Sequence, residues 1–184
     1  MLVLKQLKRQ VIPDAKSVRL LNNLEWSAWL QLLAAFTLLP AAIDSALQRR
    51  AGMSHFEFGI MVALSRQPDR QLQLKDLAVA ANGSLSRLSH VISRLERQGW
   101  VRRVSGASGR ATNAELTDKG YRKLLEAGPI HFQDVRRLVF DVLTPQEVRE
   151  LTRVTSRINA GLIPETNLGP LARRTRTRAL RQSS

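Results

Sequence analysis

Between Asn23 and Arg49 the chain reads as one long helix that is apolar on nearly every side, through Trp26, Trp29, Leu33, Phe36, Ile43 and Leu47 among others. A helix on the surface of a globular domain buries one stripe and shows water the rest. One that is apolar all round needs more cover than a small domain supplies, so this segment predicts a partner subunit. Pro40 inside it predicts a kink. Arg49, Arg50 and Gly52 end it with C-terminal cations and a breaker.

The same segment raises a membrane span as a competing reading. Its most apolar stretch, Trp29 to Ile43, is interrupted by Gln31, Thr37 and Pro40. It is also shorter than the ~20 residues a span needs. The basic N-terminus is followed by polar sequence rather than a compact apolar core, which argues against a signal peptide. The expectation is a cytoplasmic chain with no membrane partner.

Charge points to the partner. The 184 residues carry 29 Lys and Arg against 15 Asp and Glu, a net charge of +14. Such an excess attracts a polyanion, nucleic acid first. It is concentrated in residues 1–20, in the Arg-rich tail 164–184, and in residues 84–115, which hold six basic side chains and two acidic ones. A basic tail is commonly a solvated end, whereas the internal cluster lies in sequence that looks folded.

Around that cluster the element signals follow one another closely. Ser54 and Glu57 form a capping-box pattern ahead of a helix that ends before Pro68. Gln71–Gln73 is a connector or short strand. Leu74 to Ala81 is a short helix, and Asn82-Gly83 a turn. Ser84 caps a helix stopped by Gly99. Trp100–Val104 and Ala111–Leu116 are strands around a Gly106–Gly109 turn. Thr117 caps a long helix to about Leu143, with Pro129 as a kink, and Thr144-Pro145 opens a last one ending near Gly161. A short helix, a Gly turn and a second helix make a helix-turn-helix, and a basic hairpin after it makes a winged helix.

The runs Leu74-Lys75-Asp76-Leu77-Ala78, Ser84 to Ser89, Arg94 to Arg103, Gly109-Arg110-Ala111-Thr112 and Leu116 to Gly120 occur in an order and spacing that resemble the MarR family of winged-helix transcriptional regulators. The likeness covers residues 22–162. It implies a mainly α fold with a small β-hairpin wing: a basic extension (1–21), a dimerisation helix (22–52), the winged helix-turn-helix (53–117), further dimerisation helices (118–163) and the tail (164–184). It also implies a homodimer on a pseudo-palindromic operator, usually a repressor, released by a small aromatic or anionic ligand. One position departs from the pattern. The family's wing commonly carries Asp-x-Arg, and this chain has Ser108-Gly109-Arg110.

On a helical wheel Leu85, Leu88, Ile92 and Leu95 form a buried stripe. The opposite face carries Ser86, His90, Ser93, Arg94 and Arg97, with Arg87 at its edge. A recognition helix reads bases with its N-terminal part, so Ser86, Arg87 and His90 are the candidate base readers. Ser84 and Ser89 join them as DNA contacts, with phosphate at the helix N-terminus. Arg94 and Arg97 fit phosphate or hold the wing. Arg110 at the hairpin tip fits a narrow minor groove, with Thr112 beside it.

Other chemistry finds little support. With no cysteine, thiolate metal sites, disulfides and Cys nucleophiles are excluded. His55, His90 and His131 have no metal-ligand spacing, and no phosphate loop or hydrolase signature is present, so neither an enzyme nor a cofactor is expected. By the family resemblance an effector pocket lies between the dimer helices and the winged helix, where Trp26, Trp29, Phe36, His55, Phe56 and His131 are the candidates. The Trp and Phe residues are equally readable as dimer core. Two alternatives stay open: a sequence-neutral architectural DNA binder driven by the basic tails, and a winged-helix module that binds protein.

Overall fold

A computed structural model describes residues 20–81, 83–106 and 111–162. They form, in order, α1 (Asn23–Ala51), α2 (His55–Ser65), β1 (Gln71–Gln73), α3 (Leu74–Ala80), α4 (Leu85–Arg97), β2 (Val101–Ser105), β3 (Thr112–Leu116), α5 (Asp118–Val135), a π-helical turn (Arg136–Phe140) and α6 (Pro145–Leu162). By contacts the chain divides into two compact units, one ending at Leu39 and one starting at Pro40.

The described part of the first unit is the N-terminal half of α1. Asn22 and Glu25 cap it reciprocally: the Asn22 side chain accepts from the Glu25 amide at 2.9 Å, and the Glu25 carboxylate accepts from the Asn22 amide at 2.8 Å. Most of its apolar side chains are open, with Leu24 80% and Phe36 62% exposed. Helical assignment continues through Pro40, which has no N–H to offer the Phe36 carbonyl one turn back. α1 spans 29 residues and its most apolar window has a mean hydropathy of 1.6, so by length and composition it is able to cross a bilayer. The run counted from sequence, Trp29 to Ile43, is only the middle of that helix.

In the second unit the C-terminal half of α1 buries Ile43, Ala46, Leu47 and Ala51. Gly52, at φ +66°, turns the chain out of the helix. The predicted capping box at Ser54 is present. α3 packs on α4, α4 on β2, and α2 on both β3 and α5. Gln71–Gln73 is a true strand: the sheet has the order β1-β3-β2, antiparallel throughout, with Leu72 opposite Ala114 and Val101 opposite Leu116. The core gathers Ile60, Met61 and Leu64 of α2, Leu77 of α3, and Leu88, Ile92 and Leu95 of α4, all fully buried. The turn residue Asn82 and the hairpin tip 107–110 lie outside the described residues.

The sequence predicts one helix from Thr117 to Leu143. The structure instead ends α5 at Val135 and widens into the π turn. The Asp141 amide donates to the Arg136 carbonyl at 2.9 Å, a five-residue step. The Arg136 and Asp141 side chains pair across the same step at 3.1 Å, a spacing that fits the wider turn. α6 starts from a Thr144–Glu147 capping box, and the Thr144 amide and hydroxyl, both donating to the exposed Glu147 carboxyl, hold it below its ordinary range. α6 buries no residue. Leu151, Val154 and Ile158 are exposed along one side of it.

Helix α5 begins where the wing ends. The Thr117 hydroxyl accepts from the Gly120 amide at 3.0 Å and donates to the Gly99 carbonyl at 2.7 Å. Gly120 is pressed against the chain so closely that a Cβ there would stand 2.0 Å from the Trp100 carbonyl oxygen. Backbone, rather than a flexible side chain, would have to move. Gly120→Ala is therefore expected to destabilise the fold by ~1–3 kcal/mol or more in urea unfolding. An unchanged midpoint would mean the α5–wing junction yields freely.

Candidate nucleic-acid interface

Helix α4 is held by its apolar stripe and capped by Ser84, whose hydroxyl accepts from the Arg87 amide at 3.2 Å. Ser84, Ser86, Arg87, Ser89 and His90 are all exposed around its first turns. The predicted stripe is buried at Leu88, Ile92 and Leu95 but not at Leu85, which is 55% exposed. Leu85 is the first residue of the helix, so it precedes the turn at which the stripe meets the core.

The basic residues divide by what they touch. The Arg87 guanidinium lies over the Phe56 ring, 4.4 Å from its centroid, and no carboxylate pairs with it among the described residues. Arg94 is committed: its Nε is 3.0 Å from Glu57, a carboxylate only 2% exposed. Glu57 also accepts from the Ser54 amide at 2.7 Å and the Ser54 hydroxyl at 2.9 Å. Arg94 thus ties α4 to the start of α2, and more than half of its side chain still reaches solvent.

The wing is fixed by its own arginines. Arg103 pairs with Glu96 through its guanidinium and its amide, the latter at 2.9 Å. It also donates to the Ser89 carbonyl at 3.3 Å and the Ser93 hydroxyl at 3.1 Å. Arg102 turns the other way and pairs with Glu115, its cross-strand neighbour, at 2.7 Å. Of the two roles the sequence left open for Arg94 and Arg97, phosphate contact or holding the wing, the second is performed by Arg103, and the feature that sequence reading missed is Glu96 as its acceptor. Thr112 opens β3, exposed and opposite Ser105. Arg110, like Ser108, lies outside the described residues.

Three of the six candidate effector residues, His55, Phe56 and His131, lie in the second unit. His55 and His131 do meet, with ring centroids 5.3 Å apart and nearly parallel. Phe58 and Phe132 flank His131 at 4.6 and 5.3 Å. Phe56, one residue from His55 on the helix, turns instead to Arg87. Trp26, Trp29 and Phe36 belong to the first unit, Trp26 half-buried and the other two exposed. The His55 amide donates to Asp44 at 2.7 Å, tying α2 to α1 within the second unit. Buried Asp134 pairs with Arg137 at 3.0 Å and with Arg50 at 3.5 Å. Among the described residues no group of three His, Asp or Glu is placed to hold a metal.

No protein-family model matches the chain. The chain is similar to Sco3205, a MarR family transcriptional regulator from Streptomyces coelicolor solved in complex with DNA, at 40% identity and a TM-score of 0.76, over 82% of this chain and 95% of that one. It is similar to AbsC, a MarR family regulator from the same organism, at 34% identity and a TM-score of 0.73, over 79% and 98%. A curated relative, the HTH-type transcriptional regulator MhqR of Bacillus subtilis, is 28% identical over 109 residues, 58% of this chain and 72% of its own.

The histidine pair carries a pH dependence. Burial pushes both imidazoles below their ordinary 6.5; His55 further lowers His131, while Asp44 and Asp134 oppose the shifts. The unfolded chain then binds more protons than the native one just below that pH, so stability falls as pH drops through 6.5. Calorimetry from pH 7.5 to 5.5 is expected to show a steeper loss of Tm for the native protein than for His131→Phe. Parallel curves would take the histidines out of the account.

Proposed function

The chain belongs to the MarR family of winged-helix transcriptional regulators, and from that premise we propose that it is a homodimeric DNA-binding repressor that reads a pseudo-palindromic operator. In this reading α4 enters the major groove. Ser86, Arg87 and His90 face base edges, while Ser84, Ser89 and the helix N-terminus meet phosphate. Arg94 reaches phosphate while anchored to Glu57. Thr112 and Arg110 follow the flanking minor groove, and the two-fold axis sets half-sites about 10–10.5 bp apart. The observation that carries this reading is the exposed, acid-free first turn of α4 with Arg87 laid out and unpaired, in a chain 40% identical to a regulator solved on DNA.

The dimer is supported by apolar surface that a single chain leaves open. α6 buries nothing and the N-terminal half of α1 is exposed; an isolated helix of this kind is marginal in water. On α6 a second subunit gives cover at a lower cost than a bilayer would, because Arg153 and Arg157 alternate with its apolar stripe. Leu151→Glu combined with Ile158→Glu is expected to give monomers in sedimentation velocity, with binding to a two-half-site duplex lost. A persisting dimer would place the interface elsewhere.

A small aromatic or anionic effector that loosens DNA binding completes the reading. His55 and His131 with Phe58 and Phe132 are its candidate contacts, since a stacked, partly dehydrated imidazole pair suits a flat ligand. A cytoplasmic location follows from the regulator role.

The deciding test is fluorescence anisotropy with the chain's own upstream intergenic DNA and a scrambled duplex at two salt concentrations. A preference for the native DNA that survives added salt is expected. Arg87→Ala is expected to remove ~1–3 kcal/mol of it. Equal binding to both duplexes, falling together with salt and indifferent to Arg87→Ala, would mark an architectural binder driven by charge. Loss of all DNA affinity on removing residues 164–184 would favour a protein-binding module.

A further inference from the structure

We propose that Phe56 is a positioning residue for DNA recognition: its ring holds the Arg87 guanidinium by the face and leaves the guanidinium edge free to read a base. The inference rests on the reading above in which Arg87 contacts a base edge.

A guanidinium is flat, with its N–H donors in the plane and none on the faces. An aromatic ring attracts the face through its quadrupole, whereas bidentate contact to guanine uses the edge. The two demands use different parts of one group and are met together. At 4.4 Å from the ring centroid, Arg87 is placed for the first, and no acceptor among the described residues takes its donors. Arg94 and Arg103 show the other arrangement, in which carboxylates consume the edge. A long side chain with many rotamers loses freedom on binding, and stacking removes part of that loss beforehand.

The ring itself is fixed. Phe56 sits in the first turn of α2, between His55, whose amide is bound to Asp44, and Glu57, bound to Ser54 and Arg94. On the other side Gly83 supplies bare backbone: a Cβ there would stand 3.2 Å from Phe56 Cζ, tighter than ordinary contact. The turn before the recognition helix therefore closes onto the ring that supports that helix's third residue.

The test uses the full chain and a duplex selected from a random pool by the native protein, with each base pair changed in turn. Two variants are compared with the native protein, Phe56→Leu and a chain carrying trifluorophenylalanine at position 56. Fluorination drains the ring's electron density while nearly keeping its shape. Both are expected to lose about two- to fivefold discrimination at the same base pair that Arg87→Ala erases, with the salt slope unchanged. Phe56→Leu added to Arg87→Ala is expected to cost no further discrimination. Native discrimination in the fluorinated protein, or additive losses in the double variant, would overturn the role of Phe56 while leaving Arg87 as a base reader. Full discrimination in Arg87→Ala, or a selection that returns no consensus, would overturn both.

Discussion

The arrangement of the winged helix turns on one carboxylate. Glu57 is almost wholly buried, and an ionised carboxyl in that position costs several kcal/mol unless it is matched. It is matched three times, by the Ser54 amide, the Ser54 hydroxyl and Arg94. The first belongs to the capping box that starts α2, whose other half is the Glu57 amide donating to the Ser54 hydroxyl at 3.2 Å. The third fixes α4 against that start. The same group therefore decides where one helix begins and how the next one lies, and both helices place the side chains that face outward. Removing Arg94 would leave the buried carboxylate without an opposite charge, which is more damaging than the loss of a surface ion pair.

The wing is secured by a similar economy of groups. Arg103 bridges β2 to Glu96 and to the backbone and hydroxyl acceptors of α4 at Ser89 and Ser93. Thr117 closes the other end, capping α5 while holding the Gly99 and Trp100 carbonyls. Gly120 permits that closure because no side chain fits between α5 and Trp100. The hairpin is thus pinned at its root to the helix before it and the helix after it.

What was legible in the sequence was what local chemistry determines. Ser54 with Glu57, Ser84 and Thr117 announce helix starts because a cap needs only neighbours three residues away. Leu88, Ile92 and Leu95 declare a buried face because periodicity is a property of one helix. Leu85 satisfied that period and is nevertheless exposed, because burial also depends on whether another element reaches that turn. The π turn after Val135 has no periodic signature of its own; it coincides with a pairing at a five-residue spacing that an α-helical reading does not look for. The histidine stack was invisible for a plainer reason: His55 and His131 lie 76 positions apart in the numbering, and only the packing of α2 on α5 brings them together. Phe56 and His55 were grouped because the family resemblance sets their helix beside a pocket, yet neighbours on a helix are 100° apart, and Phe56 meets Arg87 while His55 meets His131.

Net charge and local chemistry therefore answer different questions. The excess of +14 describes the field that a polyanion meets at a distance. It does not say which cation reads and which one supports. Carboxylates make that division. Arg94, Arg102 and Arg103 each lie against an acid, so their first work is to hold α4, β3 and the wing in place. Arg87 lies over a ring, which attracts its charge, and no carboxylate among the described residues pairs with it. Both kinds of residue contribute equally to the formal charge, yet substituting one kind deforms the surface and substituting the other removes a contact from a surface that keeps its shape. The acids beside the arginines, more than the arginines themselves, mark which cations are tied into the fold and which is left open to a partner.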